Sequence, residues 1–255
     1  MKKITAFIGT ASKQATWQAV SVFEKNLKEL GDVEFEAVFL NECSLEYCLG
    51  CKMCFDKGEQ FCLLKDDRDA LLEKMENSDG VIFATPSYAF QVTARMKNFI
   101  DRMAFILHRP RFFGKTFMAI VTQGIPTGGN VQKYLENLGA SLGFDVTRGC
   151  NLWTMAPMSE NRMKKFNEKI KQASKRFYKG LSRKTKLIPS IYKLMMFRTS
   201  RSGIRSAKSK FYDYSYFYEK GWFESDYYYD VRLGPIKMML GSIFDWLGVQ
   251  VAKRM

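Results

Sequence analysis

Gly80-Val81-Ile82-Phe83-Ala84-Thr85-Pro86-Ser87-Tyr88-Ala89-Phe90-Gln91-Val92-Thr93 is the stretch whose reading decides the fold. Gly80–Pro86 is a continuous apolar run, the pattern of a central strand covered on both faces. Pro86 stops that strand and turns the chain. Met96, Phe99, Ile100, Met103 and Leu107 then recur at helical spacing, so a helix follows the loop directly. A buried strand, a polar turn and an amphipathic helix form one unit of an α/β domain.

The same unit repeats on both sides. Upstream, Lys3–Gly9 reads as a short buried strand and Gly9–Thr16 as a loop; a helix from near Gln14–Thr16 carries Val20, Phe23, Leu27 and Leu30 and closes at Gly31. Val33, Phe35, Ala37 and Phe39 alternate with Glu34, Glu36 and Val38, which predicts a half-exposed edge strand. Asp66 or Asp67 can cap a helix bearing Leu71, Leu72 and Met75. Downstream, Thr116–Thr122 predicts another strand. Val131, Tyr134, Leu135, Leu138 and Leu142 predict a helix, and Phe144–Leu152 a last strand. Five strands alternating with helices predict a doubly wound parallel sheet with helices on both faces. Ligands of such sheets lie outside the carboxyl ends of the strands. Three loops fall there: Gly9–Thr16, Pro86–Val92 and Gln123–Asn130.

Each loop has chemistry to offer. The first lacks G-x-G-x-x-G and presents Thr10, Ser12, Gln14 and Thr16 at a helix N-terminus, a setting for a phosphate monoester rather than a pyrophosphate. An ordinary polar strand-to-helix turn is the alternative. In the second, Ser87 and backbone amides can meet a polar ring edge while Tyr88 or Phe90 covers a flat face, although either aromatic could simply pack. In the third, Gly124, Gly128 and Gly129 allow close backbone approach to a planar ligand.

A fourth segment follows the edge strand. Cys48, Cys51, Cys54 and Cys62 are spaced C-x2-C-x2-C-x7-C. Iron–sulfur clusters take four thiolates, and a compact run of this type supplies three of them. A four-cysteine zinc site competes, and redox or structural thiols are the remaining reading. Only six cysteines occur among 255 residues, and four share this loop, which argues for a reducing compartment. The N-terminus shows no apolar stretch before a cleavage site, and no run of eighteen apolar residues exists, so a cytoplasmic protein with no spanning helix is expected. Cys43 and Cys150, on strand ends, read as packing, and the single histidine, His108, as a partner for a helix C-terminus.

The net charge of +14 is uneven. Residues 1–157 carry 18 basic and 18 acidic residues, and residues 158–255 carry 22 and 8; within 158–212 the counts are 17 and 2. The expected organisation is therefore a neutral domain over 1–157, with the cysteine loop at 48–62, and a basic, aromatic-rich, mostly helical extension over 158–255.

Taken together, Ile8-Gly9-Thr10-Ala11-Ser12 with Gln14 and Thr16, Ala84-Thr85-Pro86-Ser87-Tyr88, Met96-Lys97-Asn98-Phe99-Ile100-Asp101-Arg102 and Thr122-Gln123-Gly124 resemble the NAD(P)H-dependent FMN reductases of flavodoxin-like fold. The cysteine run, ending in Lys65-Asp66-Asp67, is similar to the cluster loop of their iron–sulfur flavoprotein branch. The resemblance covers about residues 1–155. It departs at Gly9-Thr10-Ala11-Ser12, where the family usually reads Gly-Ser-Pro-Arg, and in the long gap before Cys62. It implies that Thr10, Ser12, Gln14, Ala15 and Thr16 hold the FMN phosphate. Pro86, Ser87, Tyr88 and Phe90 would border the isoalloxazine, with Thr122, Gln123 and Gly124 on its other side. Cys48, Cys51, Cys54 and Cys62 would ligate a [4Fe–4S] cluster. The implied activity is transfer of electrons from NAD(P)H through FMN to a quinone, nitro compound, enone or protein acceptor, with no residue assigned as a catalytic acid or base. A non-enzymatic redox sensor or electron carrier, docking a partner through the basic tail, is the alternative. A homo-oligomer is expected.

The extension lies outside the resemblance. Phe166, Ile170, Ala173, Phe177 and Leu181 make one apolar face, and Ile236, Met239, Leu240, Ile243, Phe244 and Leu247 another at helical spacing. Basic amphipathic helices of this kind suit an anionic membrane surface, which would place the protein peripherally on its inner face. Packing of these faces on the first domain or a second subunit, with a solvated basic face left over, is the first reading; the membrane comes second and nucleic acid last.

Overall fold

The structure, a computed structural model, describes residues 1–125, 128–155, 157–207 and 211–254. Pro126 and Thr127 of the third loop, and Lys208 and Lys210 of the basic stretch, lie outside the described residues. In chain order the elements are β1 (Lys2–Ile8), α1 (Ala15–Leu30), β2 (Val33–Phe39), α2 (Met53–Asp56), α3 (Arg68–Glu76), β3 (Gly80–Pro86), α4 (Ala94–Arg102) and β4 (Thr116–Gln123). There follow α5 (Gly129–Ser141), β5 (Asp145–Val146), β6 (Cys150–Trp153), α6 (Glu160–Leu181), α7 (Ile191–Ala207), α8 (Tyr212–Glu219) and α9 (Pro235–Ala252). The chain forms two compact units, Met1–Leu49 with Leu64–Thr185, and Gly50–Leu63 with Lys186–Met255.

The first unit is a parallel sheet in the order β2-β1-β3-β4-β5, with β6 also on β4. The register aligns Phe39, Ile8, Ala84, Ile120 and Cys150 in one row across the sheet. The strands therefore end at nearly the same level, which is why their loops converge. Side chains alternate between the faces. Ile4, Ala6, Ile8, Ile82, Ala84, Met118 and Ile120 pack on one side with Phe23 and Leu27 of α1 and with Phe166, Ile170, Phe177 and Leu181 of α6. Phe7, Phe83 and Phe117 point to the other, where Phe99 of α4 stacks on Phe7 at 4.8 Å between centroids and Phe144 meets Phe117.

Two expectations change. The last strand, expected over Phe144–Leu152, is broken into β5 and β6. Between them Gly149 passes so close to β4 that a Cβ would come within 2.0 Å of the Ala119 carbonyl oxygen, and the Thr147 N–H and hydroxyl both donate to the Phe117 carbonyl. The helix Glu160–Leu181, assigned from sequence to the extension, completes the sheet's first layer beside α1; the compact units divide after Thr185 rather than at 157. An apolar stripe on a helix says that it packs, not on what. The charge excess is consequently shared, with 26 basic and 18 acidic residues in the first unit and 14 and 8 in the second.

In the second unit α7 and α9 run in the same direction. Lys237 donates to the Pro189 carbonyl at one end, and Gly248 meets Thr199 toward the other. Gly241 and Gly248 are the buried residues of α9: a Cβ at Gly248 would sit 2.4 Å from the Thr199 carbonyl oxygen. Arg198 binds Asp226 and Asp245, Asp245 also accepts from Arg201 and Ser202, and Phe197, Phe217, Trp222 and Tyr227 fill the interior. The α2 segment of the cysteine loop packs on α8 within this unit.

Candidate functional site: a polar cleft at the carboxyl edge of the sheet

The three loops meet around a cleft in the first unit. It offers about 600 Å3 of open space, its solvent-facing mouth included, and is lined by Thr10, Ser12, Gln14, Ala15, Thr16, Pro86, Ser87, Tyr88, Thr122, Gln123, Gly124 and Thr154. Eleven of the twelve residues singled out from sequence as cofactor-binding line it; Phe90 does not, and Thr154 was missed. Thr154 follows β6 directly, one residue beyond the Gln123–Trp153 pair, and its N–H donates to the Gln123 carbonyl at 2.9 Å. Its only sequence signal is its place at the end of the last strand.

The first loop is tied down from several directions. The Gly9 N–H donates to the Ala84 carbonyl, and Thr93 Oγ donates to the Gly9 carbonyl at 2.6 Å. A Cβ at Gly9 would lie 2.9 Å from both Met96 Cβ and Thr93 Oγ, so the residue is held to glycine by lack of room. The loop ends at Gln14 on the N-terminus of α1, where free backbone N–H groups and the helix dipole favour an anion. The Thr16 hydroxyl, buried, hydrogen-bonds to the Thr122 hydroxyl at 2.7 Å and so joins the first loop to the third. Gln123 is held in turn: its side-chain oxygen accepts from the Gly128 N–H. The Trp153 indole N–H, under the Arg162 guanidinium, donates to the Gly124 carbonyl at 2.8 Å.

The second loop is a tight hairpin. Tyr88 and Gln91 exchange both backbone hydrogen bonds, each 3.0 Å, and Ala89 and Phe90 between them have φ of 47° and 64°. Two consecutive left-handed residues make a type I′ turn, a geometry that favours Asn or Gly; here it is imposed on a side chain as large as Phe. The turn leaves Tyr88, in the cleft lining, and Phe90, outside it, 61% and 68% exposed. Ser87 behaves oppositely. Its N–H donates to the Thr122 carbonyl, and its Oγ is buried in the cleft lining without a hydrogen-bond partner. A buried hydroxyl with nothing to bond is costly, and a polar ring edge in the cleft would satisfy it.

The cysteine segment is braced at its base. Asp67 N–H donates to the Ser44 carbonyl, and Ser44 and Glu46 N–H groups donate to the Asp67 and Asp66 carboxylates. Asp66 forms a two-pronged pair with Arg102, both side chains at most 3% exposed, and Arg102 and Asn98 also donate to the Glu46 carbonyl. Burial alone would raise the Asp66 carboxyl; hydrogen bonds from Arg102, Glu46 N–H and Arg68 N–H outweigh it and hold the group below the usual carboxylate range. α4 thus serves both sites: its N-terminal Thr93 fixes the first loop and its C-terminal Arg102 fixes the root of the cysteines.

Between these anchors the loop turns on left-handed Gly50, Lys52 and Gly58. Cys48 and Cys51 are exposed, and Cys54 and Cys62 are half-buried. Among the described residues, no three His, Cys, Asp or Glu side chains stand together as a metal site. The donor set is nonetheless four cysteine thiols, none in a disulfide. The other two thiols are occupied: Cys43 donates to the Phe39 carbonyl, and burial pushes Cys150 up to about 12, which keeps it an inert thiol. His108 is exposed and caps the short turn Ala104–Leu107.

Comparison with known proteins follows this geometry. An iron–sulfur flavoprotein of Archaeoglobus fulgidus is 36% identical over 159 residues, which span 58% of this chain and 70% of the relative. Among solved structures, an azoreductase of Bacillus anthracis superposes with a TM-score of 0.55 at 17% identity, over 70% of this chain and all of the other. RosB, solved with 8-demethyl-8-formylriboflavin-5'-phosphate, superposes with a TM-score of 0.57 at 14% identity over 92% of each chain. The NADPH-dependent FMN reductase description matches residues 2–155. That span contains all six strands found among the described residues and every residue that lines the cleft, and the chain belongs to the NADPH-dependent FMN reductase family of flavin-dependent NAD(P)H oxidoreductases.

Proposed function

We propose that the cleft seats FMN, that NAD(P)H reduces it there, and that the electrons leave to a small quinone, nitro, enone or protein acceptor. We assign the phosphate to Thr10, Ser12, Gln14, Ala15 and Thr16, and the ring to Pro86, Ser87, Tyr88, Thr122, Gln123 and Gly124. The observation that carries this reading is the convergence of three separate loops on one cleft that contains the unpartnered Ser87 hydroxyl. FMN, when bound, supplies the hydride and one-electron chemistry. The protein's own work is binding and orientation: helix-terminal N–H groups hold the anion, the Thr16–Thr122 pair sets the spacing of two loops, and the exposed Tyr88 edge leaves room for a flat acceptor. Cys48, Cys51, Cys54 and Cys62 would hold a [4Fe–4S] cluster as a second electron site. The relatives named iron–sulfur flavoproteins support that assignment, as does the spacing of the four cysteines.

Anaerobic purification tests both halves. The flavin reading expects a yellow protein, or one that takes up added FMN, bleached by NADH or NADPH and turning over with a small acceptor. A colourless protein that takes up no FMN overturns it, and flavin reduced by a ferredoxin-like donor but by neither nicotinamide identifies an electron carrier instead. The cluster reading expects about four irons and four sulfides per chain. Cys51→Ser should then lose most of the iron and keep FMN; stoichiometric zinc in its place would refute the cluster.

A further inference from the structure

α9 carries its apolar residues on the wrong side for a core. Ile236, Met239, Ile243, Trp246 and Leu247 fall on one stripe, at i, i+3, i+7, i+10 and i+11, and are between 39% and 70% exposed. The opposite side, formed by Gly241 and Gly248, is the one that packs on α7. Just before and within α7, Ile188, Ile191, Tyr192 and Met196 are exposed as well. A monomeric soluble domain rarely leaves so much contiguous apolar surface uncovered.

The charges on these helices say what covers it. α7 contains no acidic residue, and Asp245 is the only one in α9. Asp245 is turned inward to Arg198, Arg201 and Ser202. Exposed Lys186 stands before α7, half-buried Lys237, whose ammonium also donates to the Pro189 carbonyl, lies in the first turn of α9, and exposed Lys253 and Arg254 follow its end. Cations therefore mark both ends of the apolar stripe, and no free carboxylate lies on either helix. A second copy of the same face would bring cation against cation with no acid to meet them. An anionic lipid surface meets both features: acyl chains take the Ile, Met and Trp side chains, and headgroup phosphates take the Lys and Arg. No described helix is long and apolar enough to cross a bilayer, so α9 would lie in its plane.

We propose that the α9 stripe docks the protein on an anionic membrane surface. α6 takes no part through its apolar face, which is buried against the sheet.

The experiment is flotation of the full-length, FMN-loaded protein with vesicles of phosphatidylcholine alone and of phosphatidylcholine with about a third phosphatidylglycerol. Binding to the anionic vesicles is expected, weakened but not abolished by added salt, with a blue shift of tryptophan emission that Trp246→Phe removes. Lys253→Gln with Arg254→Gln should weaken binding about 25-fold, since each cation at such a surface contributes about fivefold. Trp246→Glu, an exposed change that the fold tolerates, should weaken it about tenfold or more. Three results overturn the proposal: no flotation with anionic vesicles at low salt, equal binding of wild type and Trp246→Glu, or a stable dimer in which Trp246 is already shielded. Far-UV circular dichroism and thermal melting, read on every variant, confirm that each is folded.

Discussion

The two units of this chain handle polarity in opposite ways. The first buries phenylalanine and aliphatic side chains on both faces of its sheet and gathers the polar groups of its cleft where the strands end. The second ties the largely buried Arg198 and Arg201 to Asp226 and Asp245, whose carboxylates reach partly into solvent, and carries isoleucine, methionine and tryptophan outside. Each unit also contains an arginine clamp, Arg102 on Asp66 and Arg198 on two aspartates, and these clamps differ in what remains when the arginine is lost. Asp66 would keep only backbone N–H donors, whereas Asp245 keeps Arg201 and Ser202. In the first a single cation serves the carboxylate, and in the second two cations share one.

That contrast can be broken experimentally. Arg102→Met leaves a buried carboxylate without its cation and should cost about 3–5 kcal/mol. Hydrogen exchange should show the loss at residues 44–46 and 66–68. Arg198→Met should cost less, about 1–3 kcal/mol, with the exchange confined to α7 and α9. Equal losses, or losses spread through both units, would remove the distinction.

Acid sharpens it. The Asp66 carboxyl lies below its unfolded value, so its stabilisation is complete above the ordinary carboxylate pKa and disappears as pH falls through the lowered one. Between pH 7 and pH 3 the wild-type protein should lose more stability than Asp66→Asn, which has no such proton to take up. Chemical denaturation of both across that range checks the sign, and parallel curves would contradict it. The smallest expected effect concerns the hairpin. Ala89→Gly relieves a left-handed alanine and should stabilise the protein by about 1 kcal/mol, seen as a rise in melting temperature. A fall would mean that the turn's conformation is set by something other than local strain.

Much of the first unit was legible because its strands are continuous apolar runs, and a site residue of such a sheet sits directly after a strand. That placed Gly9–Thr16, Ser87 and Gln123 at the cleft. The pairing of Arg102 with Asp66 was not legible, since nothing local links residues 36 apart. α9 was misleading in a more instructive way. Its apolar stripe has the period of a core-facing helix, and periodicity gives a face without saying which way it points. The direction is set by Gly241 and Gly248, which let α7 approach on the other side. The cysteine spacing was plain, while the placement of residues 50–63 with a helical unit that begins at Lys186 was not.

That placement has a consequence in time. The ribosome releases Cys51, Cys54 and Cys62 well before α8, the helix on which their segment packs. Roughly 150 residues are made between Cys62 and the end of α8, and at about 5–20 residues per second that takes about 8–30 s. Through that interval the sheet strands emerge and can begin to pair, while the thiols wait on an open loop. Capture of a metal or exposure to oxidant is therefore open to them before the unit they belong to exists.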